Sequence, residues 1–67
     1  MDQNKTGQLI RALRTELGMT QRQLADALGV TDRAVSKWER GLGCPDVSLL
    51  PGLSRALGVP VEGLLSG

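Results

Sequence analysis

The sequence predicts an all-α fold, a compact bundle of five short helices. Three observations predict it. Leu, Ile, Val and Ala recur three and four residues apart in successive short segments, and no segment alternates as a strand would. Glycines stand where those segments stop, at Gly18, Gly29 and Gly58. Thr20 and Thr31 stand where segments begin, as helix caps do.

In the first helix Leu9, Ile10, Leu13 and Leu17 fall within an arc of roughly 100°. Asn4 or Thr6 is the expected cap, and Gly18 the left-handed stop. Residues 1–5 are read as an N-terminal tail and residues 6–67 as the domain.

Thr20-Gln21-Arg22-Gln23 fits a capping box, in which the Thr20 hydroxyl and the Gln23 side chain each bond the other's backbone N–H. Leu24, Ala25 and Leu28 form the inner face of this second helix. Gly29-Val30-Thr31 makes a three-residue turn, with Val30 returning to the core and Thr31 capping the third helix. There Ala34, Val35 and Trp38 share an inward arc of roughly 100°. Asp32, Arg33, Ser36, Lys37 and Arg40 fill a separate polar arc of roughly 140°. Two amphipathic helices joined in this way form a helix-turn-helix pattern, whose second helix suits the DNA major groove.

Gly41-Leu42-Gly43-Cys44-Pro45 reads as a flexible loop stiffened by its proline. Pro51 is tolerated only in a helix's first turn, so the fourth helix is expected to start with a cap near Ser48, with Asp46 and Val47 in a preceding turn. A start at Val47 would imply a kink at Pro51. Leu49, Leu50, Leu53 and Leu57 are its buried side. Val59-Pro60 restarts a last short helix with Val61, Leu64 and Leu65 apolar; the two leucines are candidates for a dimer surface.

Length and composition narrow the function classes. A chain of 67 residues has room for one domain. Domains this small bury only about 60% of their unfolded surface, so the core must be economical. One cysteine closes no internal disulfide, and without histidine a Cys/His zinc site is out of reach. Cys44, a lone loop thiol without an electropositive neighbour, reads as inert. The single thiol, with no signal-like N-terminus and no long apolar run, predicts a cytoplasmic, nucleoid-associated setting without membrane contact.

No side-chain constellation suits catalysis. There is no Ser or Cys beside a base, no carboxylate cluster and no phosphate-cradling glycine loop, so an enzyme is not expected. No cofactor, metal or small-molecule ligand is expected either. The net charge of +1 is weak evidence for nucleic acid, but its distribution says more. Between Lys5 and Arg40 seven basic residues face four acidic ones, whereas the segment after Gly41 is net negative. An anionic partner should meet the N-terminal two thirds.

From about Thr6 to Leu65 the chain resembles the Xre/Cro-repressor helix-turn-helix family of phage and bacterial regulators. The resemblance is carried by IRALRTELGMTQRQLA, the turn ALGVT, AVSKWERG, CPDVSLL and LSRALGV, in that order and spacing. It implies a lambda-repressor-like five-helix domain that binds operator DNA, usually as a two-fold dimer on a palindrome. Carried over residue by residue, Gln21 resembles a glutamine that clamps a phosphate. Thr31, Asp32, Arg33, Ser36 and Lys37 match positions that meet bases and nearby phosphates. Arg40 and Gly41 match the segment that lies along the backbone, and Arg14 and Glu39 match an internal salt bridge.

The chemistry of these side chains agrees with such roles. Arg33 could donate two hydrogen bonds to guanine O6 and N7, worth roughly 1–3 kcal/mol of discrimination. Lys37 could reach a base acceptor or a phosphate, and Ser36 either. Asp32 reads first as a first-turn carboxylate favouring the helix dipole by roughly 0.3–1 kcal/mol, though it could also accept from cytosine N4. Thr20 and Gln21 could donate to a phosphate, aided by backbone N–H groups at the start of the second helix. Arg14 and Glu39 flank apolar arcs and are more economical as a pair than as two lone buried ions. Trp38, between Ala34 and Val35 in the apolar arc, reads as core.

The functional expectation is sequence-specific binding of double-stranded DNA by a transcriptional regulator, most simply a repressor. The alternative is a protein-interaction module of the same fold, antitoxin- or coactivator-like. The polar face of the third helix separates the two.

Overall fold

The computed structural model describes residues 1–66. Its elements are α1 (Gln3–Glu16), α2 (Gln21–Leu28), α3 (Asp32–Glu39), a 3-10 turn (Val47–Leu49), α4 (Leu50–Leu57) and α5 (Val61–Leu65). Among the described residues there is no strand, and no helix is long and apolar enough to cross a membrane. The expected five-helix all-α bundle is the observed one. Its extents are nearly equal, 24 × 23 × 23 Å.

Every helix gives residues to one core. Ile10 comes from α1, Leu24 and Ala25 from α2, Val35 and Trp38 from α3, Leu50, Leu53 and Leu57 from α4, and Leu64 from α5. Leu24, Leu53 and Leu64 are completely buried, each contributing roughly 1.5–3 kcal/mol. Because α3 is covered by α1 on one side and α2 on another, only its remaining face is available.

Both Thr caps form. The Thr20 hydroxyl accepts from the Gln23 N–H at 3.0 Å, and the Gln23 Oε1 accepts from the Thr20 N–H at 2.8 Å. The Thr31 hydroxyl accepts from the Ala34 N–H at 3.2 Å. Gly29 adopts φ 71° and the Val30 N–H returns to the Ala25 carbonyl at 3.0 Å. That left-handed residue reverses the chain within three positions and sets α3 against α2.

Three expectations are corrected, and a fourth, the start of α4, holds. The first helix starts at Gln3, so residues 3–5 are helical, and its cap is Asp2, whose carboxylate accepts from the N–H groups of Asn4 and Lys5. A carboxylate is a stronger cap acceptor here than the amide of Asn4, and Thr6 is drawn into the interior, 1% exposed. Leu17 caps the helix C-terminus and is 54% exposed, because α1 ends at Glu16, before the apolar arc completes another turn.

The fourth helix begins as expected, with Leu49, next to Ser48, at its cap position and Pro51 in its first turn; the preceding 3-10 turn is capped by Asp46. Its carboxylate accepts from the Ser48 N–H at 3.2 Å and from the Ser48 hydroxyl at 2.5 Å. That turn begins at Val47 without a kink. Pro51 has no N–H for the Val47 carbonyl, and the tighter turn gives that carbonyl to the Leu50 N–H instead. Finally, Leu64 points into the core and is unavailable to a partner, leaving Leu65 exposed.

Candidate nucleic-acid interface

Along α3, Val35 and Trp38 are buried, whereas Asp32, Arg33, Lys37 and Arg40 are exposed and Ser36 is half-buried. A helix sealed into a core on one side thus presents a mainly cationic strip on the other. Arg33 and Lys37, one turn apart, enter no ion pair among the described residues. Ser36 lies between them, and the Arg40 Nε donates back to the Ser36 carbonyl at 3.3 Å, which lays that side chain along the helix end. Asp32 is the acidic residue of the first turn, where it complements the helix dipole.

At the other edge, Thr20 is exposed and Gln21 half-buried at the start of α2. Capping uses the Thr20 oxygen as an acceptor, so its O–H can still donate. Between the starts of α2 and α3 lies a depression of about 260 Å³ lined by Arg22, Asp26, Val30, Thr31 and Asp32. Arg22 and Asp26 form an exposed ion pair at 3.4 Å. Two carboxylates against one guanidinium make this a poor seat for phosphate.

Arg14 and Glu39 lock α1 to the end of α3. The Arg14 Nε donates to Glu39 Oε2 at 2.6 Å, and its Nη2 to Oε1 at 3.0 Å. The Arg14 Nη1 also donates to the Met19 carbonyl at 2.7 Å, which ties down the link into α2. Both side chains are withdrawn from solvent, 12% and 3% exposed. The Glu39 hydrogen bond holds the Arg14 guanidinium above its ordinary pKa, against the opposing effect of burial. Burial pushes the Glu39 carboxyl up, but hydrogen bonds from Arg14 and Gln21, with the charges of Arg14 and Arg11, outweigh it and leave its pKa lowered.

The Gln21 bond is one that sequence alone does not signal. Gln21 Nε2 donates to Glu39 Oε1 at 3.1 Å, so one carboxylate holds α1, α2 and α3 together. Helical periodicity relates residues within a helix and is silent on this cross-helix bond. Glycine at position 7 is likewise positional, since a Cβ there would lie 1.9 Å from the Trp38 carbonyl oxygen.

Comparison with known proteins gives a consistent answer. Residues 10–64 match the helix-turn-helix family. The chain is 43% identical over 58 residues to the HTH-type transcriptional activator BcrR of Enterococcus faecalis, covering 87% of this chain and 28% of BcrR. It is 39% identical over 61 residues to a prophage-derived HTH-type transcriptional regulator, YonR, of Bacillus subtilis, covering 91% of this chain and 56% of YonR. The chain therefore spans between about a quarter and just over half of the length of these relatives.

Among solved structures, it superposes on the P22 c2 repressor in complex with a synthetic operator at TM-score 0.84 and 37% identity, covering 88% and 89% of the two chains. It also superposes on the restriction-modification controller protein C.AhdI of Aeromonas hydrophila at TM-score 0.83 and 33% identity, covering 94% and 91%. With a family match across most of its length and the same helices in the same places, the chain belongs to the helix-turn-helix family, in the Xre/Cro-repressor group.

Proposed function

We propose that this chain is the sequence-specific, double-stranded-DNA-binding domain of a transcriptional regulator, with α3 in the major groove and α2 across the backbone. One observation carries the reading. The exposed cations Arg33, Lys37 and Arg40, with half-buried Ser36 among them, stand on a helix whose opposite side, Val35 and Trp38, is sealed in the core. A rigid helix of this kind holds its donors at fixed height and spacing, as direct readout requires.

In this reading Arg33, Ser36 and Lys37 face base edges. Thr20, Gln21, Thr31 and Arg40 take phosphates, and Asp32 acts mainly on its own helix. The P22 c2 repressor, a similar protein whose structure includes an operator, supports the docking by analogy. A single module of this size buries modest surface, so a two-fold dimer on a palindromic operator, with half-sites about one helical turn apart, gives useful specificity. Leu65, Leu42 and Val47 are exposed apolar residues available to such pairing. Repression is the simpler regulatory outcome, by obstruction of a promoter.

Selection of bound sequences from random duplex DNA tests the reading. It is expected to return one half-site, inverted and repeated at fixed spacing. Recovery of no enriched sequence, with no salt-sensitive retention of any duplex, would overturn it and leave the same face to a protein partner.

A further inference from the structure

Four α1 residues share one stripe: Asn4, Gly7, Arg11 and Arg14 lie within an arc of roughly 80°. Three of them meet the end of α3 or the glycine just beyond it. A Cβ on Gly41 would lie 2.1 Å from the Asn4 side-chain oxygen, and one on Gly7 would lie 1.9 Å from the Trp38 carbonyl oxygen. Arg14 is bound to Glu39. Arg11 stands between Gly7 and Arg14 on this stripe but is exposed and enters no ion pair among the described residues.

The charges at this junction do not cancel. Glu39 is fully engaged by Arg14 and Gln21. Two guanidinium groups therefore face one carboxylate, and the surplus positive charge rests on Arg11. Its field is felt at Glu39, where it helps to hold the carboxyl below its ordinary pKa. Gln21 bonds this carboxylate from α2 and Arg14 bonds it from α1, while Arg11, on the same α1 stripe, acts on it only through its charge.

We infer that Arg11 is a phosphate contact of this domain, completing with Gln21 and Arg40 a backbone-binding edge beside the base-reading strip. The inference rests on the DNA-binding reading and adds a residue from outside the two helices of the motif. As a contact to phosphate it supplies affinity without sequence preference.

The test uses fluorescence anisotropy with two duplexes, the selected operator and an unrelated sequence, across a range of salt. Arg11→Ala is expected to weaken both by a similar factor and to lower the slope of log affinity against log salt by about 0.9. Arg11→Lys should restore most of that slope. Lys5→Ala, about 120° away around α1, should leave it unchanged. Circular dichroism melting of each variant confirms that the compared proteins are folded.

A wild-type slope in Arg11→Ala overturns the inference, as does a loss confined to the operator or an equal effect of Lys5→Ala. Wild-type protein that retains neither duplex removes the DNA-binding reading itself. The two failures are therefore distinct.

Discussion

The Trp38 carbonyl lies so close to the Cα of Gly7 that α1 and α3 meet backbone to backbone. Neither residue's side chain makes this approach; the absence of one does. The Trp38 side chain itself belongs to the core, 6% exposed.

Gly7→Ala should therefore be strongly destabilising, although alanine is the better helix former. The clash is with backbone, which no rotamer change relieves, and α1 must move off α3. A loss of about 3 kcal/mol is expected by chemical denaturation. A gain in stability, as helix propensity alone predicts, would show that the two helices are not held this close.

Glu39 predicts how stability depends on pH. Its carboxyl is held below the ordinary range, so its contribution is complete above the unfolded-state value and lost as pH falls through the lowered one. Asp2 and Asp46, lowered by hydrogen bonds to nearby backbone and hydroxyl groups, act in the same direction. Wild-type melting temperature should drop below about pH 4. Glu39→Gln should flatten part of that drop, and an unaltered pH profile would argue against the ion pair in solution. Glu39→Ala, which strands Arg14, should cost about 3 kcal/mol at neutral pH.

Thr6 is buried and its hydroxyl has no hydrogen-bond partner among the described residues. Thr6→Val keeps the shape and removes the orphaned polar atom. An increase in unfolding free energy of about 1 kcal/mol is expected from thermal or denaturant curves. A clear decrease would mean that the hydroxyl is satisfied.

Arg33 and Lys37 should separate from Arg11 in how they fail. Arg33→Ala is expected to relax preference at one half-site position, costing roughly 1–3 kcal/mol on the operator and little on an unrelated duplex. Affinity measured on operators altered one base pair at a time checks this. Equal losses on every sequence would make Arg33 another backbone contact.

Much of this architecture is legible in the sequence because it is local. The capping box at Thr20, the left-handed Gly29 and the apolar arcs depend on residues within four positions of each other. The opposed faces of α3 follow from the same periodicity. What could not be read is mostly tertiary or competitive. Gly7 and Gly41 look like a weak helix position and a loop glycine, yet each is defined by a neighbour from a distant segment. The Gln21–Glu39 bond joins two helices. Asp2 displaced nearer cap candidates because a carboxylate accepts more strongly, and Leu64 faces inward because the short α5 must seal the core.

The α3 strip has a further consequence for how such a regulator could diversify. Arg33 and Lys37 support nothing beneath them, whereas Glu39, two residues beyond Lys37, fastens three helices. On the proposed reading, swapping the former changes the address being read and leaves the frame intact. Swapping the latter would loosen the frame before any address was consulted. New targets are therefore reachable by single outward-facing replacements, without rebuilding the interior at each step.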